Sequence, residues 1–139
     1  MEQGLATICK LLAIYNLRIM AFNLFRPNQT LDFSDSNFEQ LSKSISNLQE
    51  TLATAHFFDP YVPYLDQVLN TARIKDSETF KKLVVSNELF GGSGALWEIY
   101  INDSSLDKRF KTYFTAFIES IEKIGINNKR IRQVKSGMK

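Results

Sequence analysis

Apolar residues recur at three- and four-residue steps through most of this chain. Phe38, Leu41, Ile45, Leu48 and Leu52 are the clearest case, with steps of 3, 4, 3 and 4 that put all five on one face of a helix. Asp35 or Ser36 stands where a cap is needed, and Ser36 with Glu39 has capping-box spacing. The opposite face, Ser42, Ser44, Ser46 and Asn47, is polar but uncharged. An earlier segment, about 3–25, repeats Leu5, Ile8, Leu12, Tyr15, Ile19 and Phe22 at the same steps. Leu11, Ile14 and Leu17 widen that stripe, so the pattern predicts a helix buried on more than one side. Arg26-Pro27-Asn28 stops it, because proline disfavours helical geometry in the residue before it.

His56 to Pro63 is a break carrying two of the three prolines. Tyr61, Tyr64, Leu65, Val68, Leu69 and Ala72 predict a third helix ending near 74, with Pro63 tolerated only in its first turn. Asp76-Ser77 has the chemistry of the next cap, and Phe80, Leu83, Val84 and Asn87 predict a short fourth helix ended by Gly91-Gly92. Leu106, Phe110, Phe114, Phe117, Ile118, Ile121 and Ile124 line a last strong helix over about 104–124, capped from Asn102-Asp103-Ser104-Ser105 and closed by Gly125. Residues 96–101 fit both strand-like alternation and a distorted turn, and the pattern leaves them open. The expected fold class is all-α, a single-domain bundle of about five helices with a glycine-rich corner and room for one short extended segment.

Composition adds detail without changing the architecture. At 139 residues the chain is long enough for one ordinary core, and 11 Phe with 5 Tyr should fill it with large flat side chains. Charge is uneven: Lys129, Arg130, Arg132, Lys135 and Lys139 give the segment 128–139 five basic residues and no acid. The total of +2 then leaves residues 1–127 with 12 basic and 15 acidic residues, or −3. We therefore divide the chain into a helical domain, 1–127, and a basic C-terminal tail, 128–139, whose default is a solvated end. The body lacks the basic stripe of a nucleic-acid binder. The lone Cys9 forms no internal disulfide, and no apolar run reaches the roughly 18 residues of a membrane span. Glu2 precedes any basic residue and Lys10 and Arg18 interrupt the apolar opening, so it does not read as a signal peptide. The expected setting is cytoplasmic, away from membranes.

Gly91-Gly92-Ser93-Gly94 invites a chemical reading, and each one fails on context. A phosphate-binding loop needs a following Lys-Ser/Thr and a preceding strand, and both are missing here. Ser93 lies in Gly91-Gly92-Ser93-Gly94-Ala95, with alanine where a nucleophile elbow wants its second glycine. Its base would have to be His56, the only histidine, which sits beside Phe57 and Phe58 and is expected at the core or its boundary. One Cys and one His cannot furnish a zinc site, and no calcium loop is present. Asp59 and Asp66 could share a helix face only if that helix ran through Pro60 and Pro63. No catalytic residue, cofactor, metal or small-molecule substrate is expected.

Leu89-Phe90-Gly91-Gly92-Ser93-Gly94-Ala95-Leu96-Trp97-Glu98-Ile99 resembles a signature of small, mostly helical bacterial proteins. That signature is an aromatic, Gly-Gly-x-Gly-Ser/Ala, an apolar residue, then a polar or acidic one and an apolar pair. The family includes immunity proteins encoded beside polymorphic toxins, such as those of contact-dependent growth inhibition. The match covers about a dozen residues. Ala95 stands where serine is common, and Trp97 where a small polar residue is usual. The resemblance implies a non-catalytic binder of one cognate toxin domain. In that reading Gly91, Gly92 and Gly94 form a rigid turn, Trp97 is a partner anchor, and Glu88, Glu98, Asp103 and Asp107 are steering charges toward a basic toxin. The alternatives are a helical regulatory or nucleic-acid-binding protein using the basic tail, and a small hydrolase using Ser93. The apolar first helix also allows a homodimer.

Overall fold

The computed structural model describes residues 30–138, and the helix expected over about 3–25, with Cys9, lies outside the described residues. Leu31–Lys139 form one compact unit. Within the described residues the chain is all-α: α1 (Asp35–Thr54), α2 (Tyr61–Arg73), α3 (Ser77–Val84), α4 (Asn87–Phe90), a 3-10 turn (Leu96–Glu98), α5 (Ser104–Ile124) and α6 (Lys129–Gly137). None of these helices is long and apolar enough to cross a membrane.

Four of the described helices begin on side-chain caps, whereas α2 starts after Pro60 without one. Ser34 starts α1, one residue ahead of the Asp35/Ser36 pair expected there, and its hydroxyl accepts from Asn37 N at 3.4 Å. Asp76, Asp103 and Asn128 cap α3, α5 and α6 in the same way, each satisfying a backbone N–H that the first turn leaves free. The ends of α1, α2 and α5 share one chemistry. At each end one N–H (of His56, Lys75 or Gly125) reaches three residues back, and the next N–H reaches five back, as in Phe57 N to Leu52 O at 2.8 Å. That exit needs a left-handed residue, and the three are His56 (φ 65), Lys75 (φ 58) and Gly125 (φ 126). His56 is therefore exposed on a helix exit, not the core or boundary imidazole that its Phe57-Phe58 neighbours suggested.

Helices α1 and α5, the two longest described, bury Leu41, Ile45, Leu48 and Leu52 against Phe114, Phe117, Ile118 and Ile121, all fully enclosed. The phenylalanines meet in series: Phe110 stacks on Phe114 at 5.6 Å, and Phe114 makes tilted contacts with Phe117 at 6.0 Å and Phe90 at 5.5 Å. Truncating Phe114 to alanine would remove about 3–5 kcal/mol by the usual core cost.

Two expected elements differ. The fourth helix does not run on to the glycines: it stops at Val84, and Ser86 opens the separate turn α4. The cause is local, since the Ser86 hydroxyl donates to Leu83 O at 2.8 Å, meeting a carbonyl that the helix end leaves free. The segment 128–139, set apart on charge and expected as a solvated end, contains helix α6. Ile131 and Val134 are buried in the core, and the Lys135 ammonium pairs with Glu122 at 2.9 Å. Residues 96–101 are one 3-10 turn followed by extended backbone at Ile99 (φ −63, ψ 142), and no strand occurs among the described residues.

Candidate docking surface at the glycine corner

The corner is built from the backbone outward. Gly91 follows the last turn of α4 so closely that a Cβ there would lie 2.6 Å from Asn87 O and 2.7 Å from Asn87 Cα. Gly94 holds φ at +87, a region that side chains strongly disfavour. Gly92 meets nothing within 4 Å, so its glycine is not explained by space. After Gly94 the chain turns under: Ala95 and Leu96 are buried, Trp97 is half-buried, and Glu98 is exposed.

Three side chains from three different places hold this loop, each by donating to one of its carbonyls. Tyr61 Oη, from the start of α2, donates to Gly94 O at 2.8 Å. Trp97 Nε1 donates to Gly91 O at 2.6 Å. Arg130 Nε, from the first turn of α6, donates to Phe90 O at 3.1 Å, and its guanidinium lies 5.1 Å from the centre of the Trp97 ring. A charge-assisted hydrogen bond and a cation–π contact therefore act on the same corner. Beside it, the Tyr64 hydroxyl lies within hydrogen-bonding reach of Leu83 O and Ser86 Oγ, and burial pushes its pKa above the ordinary value of 10.0.

What remains outward is the tip, Gly92-Ser93-Gly94, with Phe58 (52% exposed) one turn ahead of the Tyr61 anchor and Val85 (44%) next to Ser86. Tyr100, at 77%, is the most exposed large hydrophobic among the described residues, ahead of Ile74 at 63%, and follows the same loop. Of the anticipated acids, Glu88 and Glu98 are exposed here. Asp103 and Asp107 also make contacts within their own helix. The Asp103 carboxylate accepts from Leu106 N at 3.0 Å, and Asp107 pairs with Lys111 at 3.0 Å. Trp97 is only half available to a partner, because its indole is engaged in the clamp. Ser93 and His56 are both exposed, and no hydrogen bond joins them. Sequence pattern missed Phe58, Val85 and Tyr100 because an exposed apolar residue has no signature in periodicity, and it missed Arg130 because charge alone placed it in a tail.

No protein-family model, no curated protein and no solved structure matches the chain.

Proposed function

We propose that this protein is an immunity-type binder that neutralises a cognate bacterial toxin domain by docking it at the glycine corner. The reading rests on one observation: three side chains fix the carbonyls of Phe90, Gly91 and Gly94 while residues 92–94 stay exposed. A loop held this firmly loses little entropy when a partner lands on it, which favours tight binding. Phe58, Val85 and Tyr100 are exposed apolar side chains on the segments that carry Tyr61, Ser86 and Trp97, and aromatic residues dominate binding energy in protein interfaces. Glu88 and Glu98 give the rim a negative character suited to a basic toxin surface. The resemblance of residues 89–99 to immunity proteins supports the same conclusion.

The test is direct. The open reading frame preceding this one should encode the C-terminal domain of a large secreted toxin. That purified domain should bind with nanomolar affinity, and cells expressing it should survive only when this chain is co-expressed. Phe58→Ser should weaken binding at least about fivefold, the scale of a hot spot above 1 kcal/mol. Glu88→Lys with Glu98→Lys should slow association roughly tenfold at low salt and much less at high salt. Ser93→Ala should protect as well as the parent chain. If Ser93→Ala abolishes protection, or the domain fails to bind, the reading fails.

A further inference from the structure

Away from the corner lies a second surface, whose chemistry is independent of the first. An open groove of about 750 Å³ runs along the seam of α1 and α5. Its α1 wall is Gln40, Lys43, Ser44 and Asn47, a single helix face, and this absorbs part of the uncharged polar stripe seen in the sequence. Its floor from α5 is Thr112, Ala116 and Ser120, four residues apart, with the Ser120 and Ser44 hydroxyls 3.4 Å from one another. A neighbouring hollow of about 640 Å³ shares Thr112, Ala116 and Glu119 and extends toward Lys108 and Met138. Together they follow α5 from Lys108 to Lys123, about 22 Å at 1.5 Å per residue.

The charge of this groove is distinctive. It is lined by five lysines (43, 108, 111, 123 and 135) and three acids, Asp107, Glu119 and Glu122. The rest of the chain then carries twelve basic and twelve acidic residues, so the whole formal excess of +2 resides here. Asp107 is neutralised by Lys111 and Glu122 by Lys135. Among the described residues that leaves Lys108 near one end, and Lys43, Lys123 and Glu119 near the other, where Lys123 Nζ donates to Gln40 Oε1 at 3.2 Å.

We infer that this groove receives an α-helix of a protein partner, with acidic residues at its two ends and small residues between them. The floor of Thr112, Ala116 and Ser120 repeats at four-residue steps, so it permits the close approach that packs one helix against another. The two cationic ends lie twelve to fifteen residues apart along α5, which sets the partner's acids three to four turns apart. Nucleic acid fits this pattern poorly. Glu119, eleven residues past Lys108 and four before Lys123, interrupts the line of lysines and would repel a continuous phosphate backbone, whereas a helix places its carboxylates only where lysines await them. The inference does not depend on the corner being a toxin site.

A phage-displayed library of helical peptides, selected against the full chain, tests it. Enriched helices should carry Asp or Glu three to four turns apart with Gly, Ala or Ser between. Lys43→Glu with Lys123→Glu should weaken their binding at least tenfold, and Ala116→Trp, which fills the floor, should abolish it. Glu88→Lys at the corner should leave it unchanged. The paired lysine reversals sit at exposed positions, so they keep the test decisive if the tryptophan variant loses helicity by circular dichroism. Four results would each overturn the inference: enrichment without acidic bias, binding indifferent to the lysines, binding lost on Glu88→Lys, or lysine-dependent capture of single-stranded oligonucleotides. Sedimentation of the chain as a dimer that Ala116→Trp dissolves would assign the groove to a second copy and would equally refute it.

Discussion

Three glycines within four residues should respond to the same substitution in three different ways. At Gly91 an added methyl would stand 2.6–2.7 Å from the Asn87 carbonyl oxygen, Cα and Cβ, two of them backbone atoms that cannot swing aside. The loop or the last turn of α4 must shift, and overpacking of this kind costs about 1–3 kcal/mol. The same shift would pull Gly91 O away from the Trp97 indole N–H. At Gly94 there is room, but φ is +87, and an alanine there pays a conformational cost of about 1–2 kcal/mol, partly offset by a less flexible unfolded chain. At Gly92 there is room and no left-handed φ, so alanine should be neutral or stabilising by up to about 1 kcal/mol. Urea unfolding followed by circular dichroism gives these differences directly, and thermal scans should shift by about 3–5 °C per kcal/mol for a chain of this size. The order Gly91→Ala worst, Gly94→Ala intermediate and Gly92→Ala harmless is the content of the argument. Three equal losses, or a Gly92→Ala variant that unfolds most easily, would show that the corner is not shaped by the contacts described. Because Gly92→Ala should leave the fold intact, it also isolates the exposed tip for binding measurements.

Arg130→Ala should cost about 1–2 kcal/mol, since it removes a charge-assisted hydrogen bond and a cation–π contact together, and Arg130→Lys should not restore it. Trp97 is the only tryptophan, so a shift of its fluorescence emission reports the change at the clamp itself. Truncation after Asn127 should destabilise by several kcal/mol, about 1.5–3 for each of Ile131 and Val134, read as a lower urea midpoint. Such a truncation therefore cannot serve as a clean test of nucleic-acid binding by the basic segment. The Thr79 backbone and side chain hydrogen-bond the Asp76 carboxylate and hold its pKa below the ordinary 3.8. A lowered folded pKa means that this stabilisation is present above pH 3.8 and lost as the pH falls through the folded value. Asp76→Asn should accordingly flatten the acid limb of a Tm-versus-pH profile while leaving neutral-pH stability nearly unchanged.

Much of the helical layout was legible along the chain. The 3-4 spacing of Leu41, Ile45, Leu48 and Leu52, and that of Phe110, Phe114, Phe117 and Ile121, follows from helical geometry alone, as does the stop at Gly125. Those are local rules, in which each residue answers only to neighbours within a turn or two. What lay beyond them required distant residues to meet. Arg130 reaches Phe90 across 40 positions, and Tyr61 reaches Gly94 across 33. Nothing in either neighbourhood announces the other, so the clamp on the glycine corner was invisible to pattern reading. Helix α6 was mistaken for a solvated end because four of its nine residues are basic, while the two that matter to the core, Ile131 and Val134, are three apart on one buried face. Asp103 and Asp107 differ from these: the N–H that one accepts from lies three residues on and the lysine that the other meets four residues on, so both contacts fall within the reach of local rules. Local sequence determined where this chain is helical; only tertiary packing decided which polar groups bind other parts of the fold and which remain for a partner, because that partition depends on contacts made at long range.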